Sequence, residues 1–301
     1  MVHEIRLTSP FRLDLTVTAL RRARTNPVDI VTTDGSWMRA LRGPAEAVTP
    51  VRVSQPASDR LSVRIDADAA AQEATLLRVR QMLGLDRDMR RFDRAVAGVP
   101  WLAPLAKRMR GLRPPRYPDL WETAVNSILF QQISISAASA ITARLVRGYG
   151  MRVDVDAVPL HVFPSADAIL GAREEDLREI GISAGKITTL LRVAERIAAG
   201  TLDSAMLENL PTPDALMLLR GIKGIGPWTA TLMLLRGLGR VDVFPPNDSS
   251  VTANLGLFNA KPDVAAALDR LGEHRGMLYF LLLLARLESR DEIGLPSLLD
   301  S

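Results

Sequence analysis

The sequence predicts an α+β protein, with a small mixed α/β sheet domain over residues 1–85 and a mainly α-helical body over residues 86–301. Three observations lead to this prediction. Short stretches between residues 4 and 66 alternate apolar and polar side chains, which is the period of a β-strand. From residue 69 onward, apolar side chains recur instead at helical spacing. A chain of 301 residues is also long enough for two or three domains.

The elements of the N-terminal part follow from its alternating segments. Strands are predicted in EIRLT, FRLDLTV, DIVTT, AVTPVRVSQ and RLSVRID, with the turn signals NP and DG between them. A helix is also expected over about residues 14–24. The helical spacing of the body begins with DAAAQEATLLRVRQMLGL and ends with RGMLYFLLLLARLE, and the proline-rich segment RPPRYPD marks a connection within it.

Composition excludes several kinds of site. The chain has no cysteine, which excludes disulfides, cysteine nucleophiles, thiolate zinc sites and cysteine-ligated iron–sulfur clusters. Its histidines, His3, His161 and His274, are too scattered for a metal-binding motif. We therefore expect no metal site and no cofactor for catalysis.

No pattern in the sequence indicates a membrane. The first ten residues lack a basic segment followed by an apolar run, and the most apolar stretch, MLYFLLLLARL, is too short to span a bilayer. We expect a cytoplasmic monomer that acts without a membrane partner.

The charge balance permits nucleic acid as a partner. Lys and Arg number 38 against 34 Asp and Glu, and the sequence pI is about 9.8. A basic stretch over residues 87–116 fits a solvated helix face as well as a phosphate-contacting surface. Its cationic residues are Arg87, Arg90, Arg91, Arg94, Lys107, Arg108, Arg110, Arg113 and Arg116.

Residues 212–251 predict two helices joined by a very tight turn, Lys223-Gly224-Ile225-Gly226. Glycine permits positive φ and a close backbone approach by another molecule. Because the turn leads directly into a helix N-terminus, its N–H groups and the helix dipole would form an anion site that suits a DNA phosphate. Ile225 is expected to anchor the turn in the core. The alternative is an ordinary helical hairpin whose glycines only permit tight packing.

The hairpin, followed by PWTA and then by VFPPND, resembles the helix-hairpin-helix DNA glycosylases, most closely the 3-methyladenine DNA glycosylase II type. The resemblance covers about residues 93–287, and the preceding sheet domain is similar to the extra N-terminal domain of that type. It implies two helical subdomains with the active-site cleft between them. It also implies base flipping and excision of alkylated bases from double-stranded DNA as the first step of base excision repair, with a monovalent cation as a candidate ligand of the hairpin.

The family's catalytic aspartate corresponds to Asp248, rather than to Asn247 or Asp242, in the proline-rich loop after the hairpin. Breaking an N-glycosidic bond builds positive charge on the anomeric carbon, which a fixed carboxylate stabilises. Asp248 is also a candidate N-cap of a helix that begins at Ser249. Such a cap would favour the ionised carboxylate, so the two roles are compatible.

The resemblance also predicts simple hydrolysis without strand cleavage. Bifunctional relatives carry a nucleophilic lysine two residues beyond the second glycine of the hairpin, where this chain has Trp228. Lys223 precedes the glycines and is expected to bind the DNA backbone. Thr229 is counted with the DNA-binding residues.

The segment NSILFQQISISAA resembles the part of the family that enters the duplex and fills the gap left by the flipped base. Gln131, Gln132 and Ile133 stand at its tip, and Gln132 occupies the position of a leucine wedge. The alternative is that the two glutamines cap or bridge helices.

Pocket residues are predicted to attract positively charged alkylated purines by cation–π contact. Trp228 is the main stacking candidate, and Phe130 is a second aromatic residue of the pocket. Leu232 and His274 occupy positions at which the family has further aromatic residues. The choice of base can therefore differ from that of the family.

Three other interpretations stay open at this point. One is a glycosylase for uracil or oxidised bases. Another is a non-enzymatic lesion sensor that binds DNA through the same hairpin, although such a protein has no need of Asp248. The third is an unrelated helical scaffold.

Overall fold

The computed structural model describes residues 1–7, 10–43, 47–248, 254–258 and 262–290. Within these residues the N-terminal part forms an antiparallel sheet of five strands in the order β1-β5-β4-β3-β2. The strands are β1 (Val2–Arg6), β2 (Ile30–Val31), β3 (Trp37–Arg42), β4 (Val48–Ala57) and β5 (Arg60–Ile65). Residues Trp37, Val53 and Val63 of adjacent strands face one side and are fully buried there.

Helices α1 (Leu13–Arg21) and α2 (Ala69–Met82) pack against this sheet. The expected helix over residues 14–24 is thus confirmed, whereas the strand predicted for FRLDLTV is wrong. Leu13, Val17 and Leu20 have helical spacing and pack into the sheet core, and this burial decides the conformation over the local alternation. Strand β3 was not predicted.

The body is helical, as predicted, which confirms the α+β architecture. Its helices are α3 (Arg90–Ala97), α4 (Ala103–Arg108), α5 (Leu120–Leu129), α6 (Ile135–Tyr149), α7 (Ala166–Leu170), α8 (Glu174–Glu179), α9 (Ala184–Ala198), α10 (Ser204–Glu208), α11 (Thr212–Arg220), α12 (Pro227–Gly237), α13 (Val264–Leu271) and α14 (Met277–Glu288). A short hairpin of β6 (Arg152–Val155) and β7 (Val158–His161), which was not predicted, interrupts the helices.

The helical core surrounds α12 and α14. Nearly every side chain of these two helices is buried, and α12 packs against both α5 and α11. Helix α5 also packs against α9, so the hairpin helix α12 and the segment after α5, residues 130–134 (the wedge segment), are held by the same packed helices. Within the described residues, no helix is both long and apolar enough to cross a membrane.

Buried arginines join the sheet domain to the helical body. Arg39 on β3 pairs with Asp29 at 2.9 Å and also contacts Glu122 on α5. Arg236 on α12 donates from Nη2 to the carbonyls of Ala19 and Leu20 at 3.0 and 2.9 Å, respectively. Because these contacts are buried, the two parts pack as one structure in the described residues.

Candidate active site and DNA interface

The predicted hairpin joins α11 to α12. Gly224 has a φ of 101°, in the region that favours glycine, and a Cβ atom there would lie 2.0 Å from Thr189 Oγ1. Gly226 has an extended backbone, and a Cβ atom there would meet nothing within 4 Å. Position 224 therefore requires glycine for the fold of the turn. The space beside Gly226 is open to an approaching molecule.

Helix α12 begins at Pro227 without a side-chain cap, which leaves the N–H groups of its first turn available to an anion. Lys223, Gly224 and Gly226 are exposed around this helix start. Ile225 is 4% exposed and lies in the helical core, where it anchors the turn. The geometry is therefore that of a phosphate site backed by an apolar anchor.

One face of α9 supports this hairpin and the wedge segment. Lys186, Thr189 and Arg192 recur at three-residue spacing on that helix. Thr189 lies beneath Gly224, and Arg192 Nη1 donates to the Lys223 carbonyl at 3.4 Å. Lys186 Nζ donates to the carbonyls of Leu129 and Gln131 at 2.8 and 2.9 Å, respectively, and burial lowers its pKa. These α9 residues were not predicted, since their role depends on which elements α9 contacts.

In the wedge segment, Gln131 turns toward the protein. Its Nε2 donates to the Gly224 carbonyl at 3.1 Å and to Thr229 Oγ1 at 2.7 Å, and Thr229 is itself buried. Gln131 and Thr229, predicted as DNA contacts, thus join the wedge segment to the hairpin. This position agrees with the alternative that a glutamine bridges helices.

Gln132 and Ile133 form the exposed tip of the segment. Gln132 has a φ of 56°, an uncommon conformation for a residue other than glycine, and Ile133 is 39% exposed. Ser134 then accepts a hydrogen bond from Ala137 N at 3.2 Å and so caps α6. The tip therefore lies between the end of α5 and the start of α6.

Asp248 is buried beside Trp228. It is 7% exposed, and its Oδ2 accepts a hydrogen bond from Trp228 Nε1 at 3.0 Å. The other candidates in the loop differ, because Asp242 accepts from Thr212 Oγ1 at 2.7 Å and Asn247 is exposed with a φ of 52°. The helix predicted from Ser249, with Asp248 as its N-cap, begins outside the described residues.

Arg22, which was not predicted, reaches this site from the end of α1. Its guanidinium carbon lies 4.3 Å from the centre of the Phe130 ring, and its Nη2 donates to the Tyr279 hydroxyl at 2.9 Å. Burial would lower the pKa of Arg22, but the phenols of Tyr117 and Tyr279 raise it. The charge of Asp248 raises the pKa of Arg22 further.

The other predicted pocket residues, Leu232 and His274, are packed within the protein. Leu232 is fully buried in the helical core. His274 packs edge-on against Phe92 at 6.4 Å between ring centres, and burial lowers its pKa. Trp121, a further aromatic residue of α5, is buried and donates from Nε1 to the Pro164 carbonyl at 2.8 Å.

Part of the basic stretch serves the protein interior. Arg87 Nη2 donates to the Gly239 carbonyl at 2.6 Å, and the buried Arg113 donates from Nη1 to the Arg87 carbonyl at 2.5 Å. Arg91 pairs with Glu273, and Arg108 pairs with Glu288. Arg87 and Arg113 thus have an internal role, whereas Arg91 and Arg108 form ion pairs at the surface. The sequence could not distinguish these roles because the acceptors are distant along the chain.

Two hairpin carbonyls already accept hydrogen bonds, that of Gly224 from Gln131 and that of Lys223 from Arg192. Each of these carbonyl oxygens keeps a second lone pair, so a monovalent cation at the hairpin would share them with the Gln131 amide and the Arg192 guanidinium. The described residues contain no group of three or more histidine, aspartate and glutamate side chains that could hold a metal ion.

Comparison with known proteins agrees with this geometry. Two curated relatives are the DNA-3-methyladenine glycosylase of Bacillus subtilis and DNA-3-methyladenine glycosylase 2 of Escherichia coli. The first is 29% identical over 61% of this chain and 62% of its own length, and the second is 33% identical over 46% and 48%. The chain thus aligns with less than two thirds of either relative.

A solved structure, the 3-methyladenine DNA glycosylase from Archaeoglobus fulgidus, superimposes with a TM-score of 0.81 and 26% identity, covering 95% of this chain and 99% of that one. Residues 4–119 match the AlkA N-terminal domain, and residues 125–268 match the HhH-GPD superfamily base excision DNA repair protein. These adjacent matches cover both the sheet domain and the hairpin with its aspartate. The chain belongs to the HhH-GPD superfamily of base excision DNA repair proteins.

Proposed function

We propose that the protein is a DNA glycosylase that removes alkylated bases of the 3-methyladenine type from double-stranded DNA, the first step of base excision repair. The observation that carries this proposal is the hydrogen bond from Trp228 Nε1 to Asp248 Oδ2 at 3.0 Å. It joins an aromatic side chain suited to stacking with a buried carboxylate. The names of the relatives, which are 3-methyladenine glycosylases, support the substrate class.

The first step is binding of the DNA backbone. A phosphate is held at the start of α12 by backbone N–H groups, while Lys223 adds a positive charge. No base is read in this step. The exposed tip at Gln132 and Ile133 then enters the duplex and occupies the gap that the extruded nucleotide leaves.

Asp248 drives the chemical step. As the N-glycosidic bond lengthens, positive charge grows on the sugar, and the ionised carboxylate stabilises it. Trp228 holds one carboxylate oxygen, which fixes the carboxylate relative to the bound sugar. The cationic base leaves with the bonding electrons as a neutral molecule, and a water molecule adds to the anomeric carbon and releases a proton to solvent, which gives free base and an abasic site.

The reaction is hydrolysis alone, without cofactor or lyase step. Trp228, rather than an amine, occupies the position from which the lysine of bifunctional relatives attacks. A monovalent cation bound at the hairpin would share the carbonyls of Lys223 and Gly224 with their present hydrogen-bond donors. We further propose that the protein acts as a monomer in the cytoplasm, on DNA associated with the nucleoid if the source is bacterial.

A panel of duplexes, each with one damaged base, tests the proposal. Released base is measured by chromatography, and strand breaks are measured with and without alkali. We expect release of 3-methyladenine and 7-methylguanine, with breaks only after alkali. Release of uracil or 8-oxoguanine alone would establish the alternative glycosylase classes.

A lesion sensor that only binds DNA is the second candidate, because the hairpin by itself suits a binding protein. The buried Asp248 favours the enzyme, since a carboxylate near a DNA-binding surface opposes binding of phosphates. Tight binding of damaged duplexes without release of any base would establish the sensor instead.

A further inference from the structure

Arg192 places a guanidinium beside the phosphate site of the hairpin. It belongs to α9 and follows Thr189, which lies beneath Gly224, at three-residue spacing. Its Nη1 donates to the Lys223 carbonyl at 3.4 Å, so the guanidinium is held against the turn that leads into α12. An arginine of a different helix thus adds positive charge where the backbone N–H groups of α12 are available to an anion.

Most donors of this guanidinium have no partner in the protein. A guanidinium has five N–H donors, and the hydrogen bond to Lys223 uses one of them. Among the described residues, Arg192 makes no other hydrogen bond and no ion pair, although Glu195 follows it at three-residue spacing on α9. The side chain is partly exposed, and none of its remaining donors is buried. These donors are therefore open to a ligand.

Surface arginines of the basic stretch differ in this respect. Arg91 is paired with Glu273, and Arg108 is paired with Glu288. A phosphate that approached either arginine would have to compete with a carboxylate. Arg192 has no acidic partner among the described residues, so a phosphate meets no such competitor there.

The chemistry of the group fits a phosphate of the DNA backbone. A planar guanidinium binds two phosphate oxygens through parallel hydrogen bonds. Because the Lys223 carbonyl already holds the Arg192 guanidinium, the side chain loses less conformational freedom when it binds. Such a contact positions the duplex and reads no base.

We propose that Arg192 binds a second DNA phosphate, next to the one held at the start of α12. The inference rests on the proposed glycosylase function, because it extends the DNA-binding step. A single phosphate contact leaves the strand free to rotate about it, whereas two neighbouring contacts fix the direction of the strand. Helix α9 is then part of the DNA interface, although it lies outside the hairpin.

A scan of the DNA backbone with methylphosphonates tests this inference. A methylphosphonate replaces one charged phosphate oxygen by a neutral methyl group. Each duplex carries one abasic-site analogue and one methylphosphonate, which is moved along both strands. Fluorescence anisotropy measures Kd for the wild type, Arg192→Gln, Arg192→Lys and Arg147→Gln. Arg147 is the control, since it is exposed on a different helix, in the last turn of α6.

In the wild type we expect two neighbouring phosphates of one strand at which the methylphosphonate raises Kd about tenfold, as loss of a hydrogen bond to a charged group would. In Arg192→Gln one of these two positions should lose its effect, and the other should keep it. Arg192→Lys keeps a point charge and should keep part of the effect, and Arg147→Gln should keep both effects. The slope of the logarithm of affinity against the logarithm of salt concentration should also become shallower by about 0.9 in Arg192→Gln.

If both positions keep their full effect in Arg192→Gln, Arg192 supports only the turn and the inference is overturned, even where binding is weaker with every duplex. A single sensitive phosphate in the wild type that stays sensitive in Arg192→Gln would overturn it as well. Base release from the damaged duplexes is measured separately. A wild type that binds as expected but releases no base would disprove the glycosylase function and leave the phosphate contact standing. Absence of DNA binding by the wild type would overturn both.

Discussion

Trp228 and Asp248 form one structural unit, with the indole Nε1 donating to a carboxylate oxygen at 3.0 Å. The residue proposed to stack on the base therefore also orients the residue proposed to act on the sugar. The two belong to different elements, α12 and the loop that follows Val243. Loss of the hydrogen bond should thus reduce the chemical step even if stacking is retained.

We expect Trp228→Phe to lower the single-turnover excision rate by about 10- to 100-fold, because a hydrogen bond to a charged group contributes about 1.5–3 kcal/mol. The phenyl ring keeps an aromatic face, so binding of a duplex with an abasic-site analogue should change little. Fluorescence anisotropy measures that binding. A wild-type rate in Trp228→Phe would show that the hydrogen bond is not needed.

Asp248→Asn should abolish excision, with a loss of at least about 100-fold, because an amide cannot supply the negative charge that the transition state needs. Binding of damaged duplex should stay nearly intact. The matched control is Asp242→Asn, since Asp242 lies in the same region but is exposed and bonded to Thr212. Turnover at the wild-type level in Asp248→Asn would rule out the assignment.

Lys186 is expected to act as a positioning residue for the wedge segment. Lys186→Met removes two hydrogen bonds to the carbonyls before the tip, so excision from a paired site should fall by about tenfold. A mismatched lesion is already partly unstacked and should show a smaller loss. Lys186→Arg should restore part of the activity, and Lys107→Met is the control at an exposed position.

Comparison of the paired lesion with the mismatched lesion distinguishes a role of Lys186 in base flipping from a role in folding. A folding defect would lower excision from paired and mismatched lesions by the same factor. Equal losses in Lys186→Met would therefore contradict the positioning role.

Borohydride should trap no covalent complex between the protein and a duplex that contains a damaged base or an abasic site. A trapped adduct requires an amine at the anomeric carbon, whereas Trp228 occupies the position of the attacking lysine in bifunctional relatives. Gel electrophoresis after reduction detects such an adduct, and a bifunctional glycosylase run in parallel shows that the assay works. A band of slower mobility with this protein would disprove monofunctional hydrolysis.

Glu122 makes stability depend on pH. Burial raises the pKa of Glu122 to about 8, from an ordinary value of 4.5, because loss of solvation outweighs the lowering by the Arg39 charge. Between these two values the folded protein keeps a proton that the unfolded chain releases, so this group's contribution to stability decreases as pH rises. Glu122→Gln removes the titration while its amide oxygen can still accept from Arg39.

The measurement is the free energy of unfolding of both proteins by urea at about pH 5 and at about pH 9. Relative to the wild type, Glu122→Gln should be more stable at the higher pH than at the lower one. A difference between the proteins that is independent of pH would contradict a raised pKa of Glu122.

The features that the sequence predicted depend on residues that are close together in the chain. The turn at Gly224 and the start of α12 at Pro227 depend on backbone preferences of single residues and their neighbours. Helical spacing likewise predicts most helices of the body. The structure confirms both the N-terminal sheet and these helices. The strand predicted for FRLDLTV was wrong because burial of the helical face of α1 outweighs a short alternating pattern.

Only the tertiary structure decided which side chains meet. Gln131 and Thr229 suit DNA contacts by type, yet they bond to each other because α5 and α12 pack side by side. Arg113 looks like a surface charge in the sequence but is buried. Arg22 reaches Phe130 and Tyr279 from the other domain, and no local pattern indicates such a contact, since it depends on how distant elements pack.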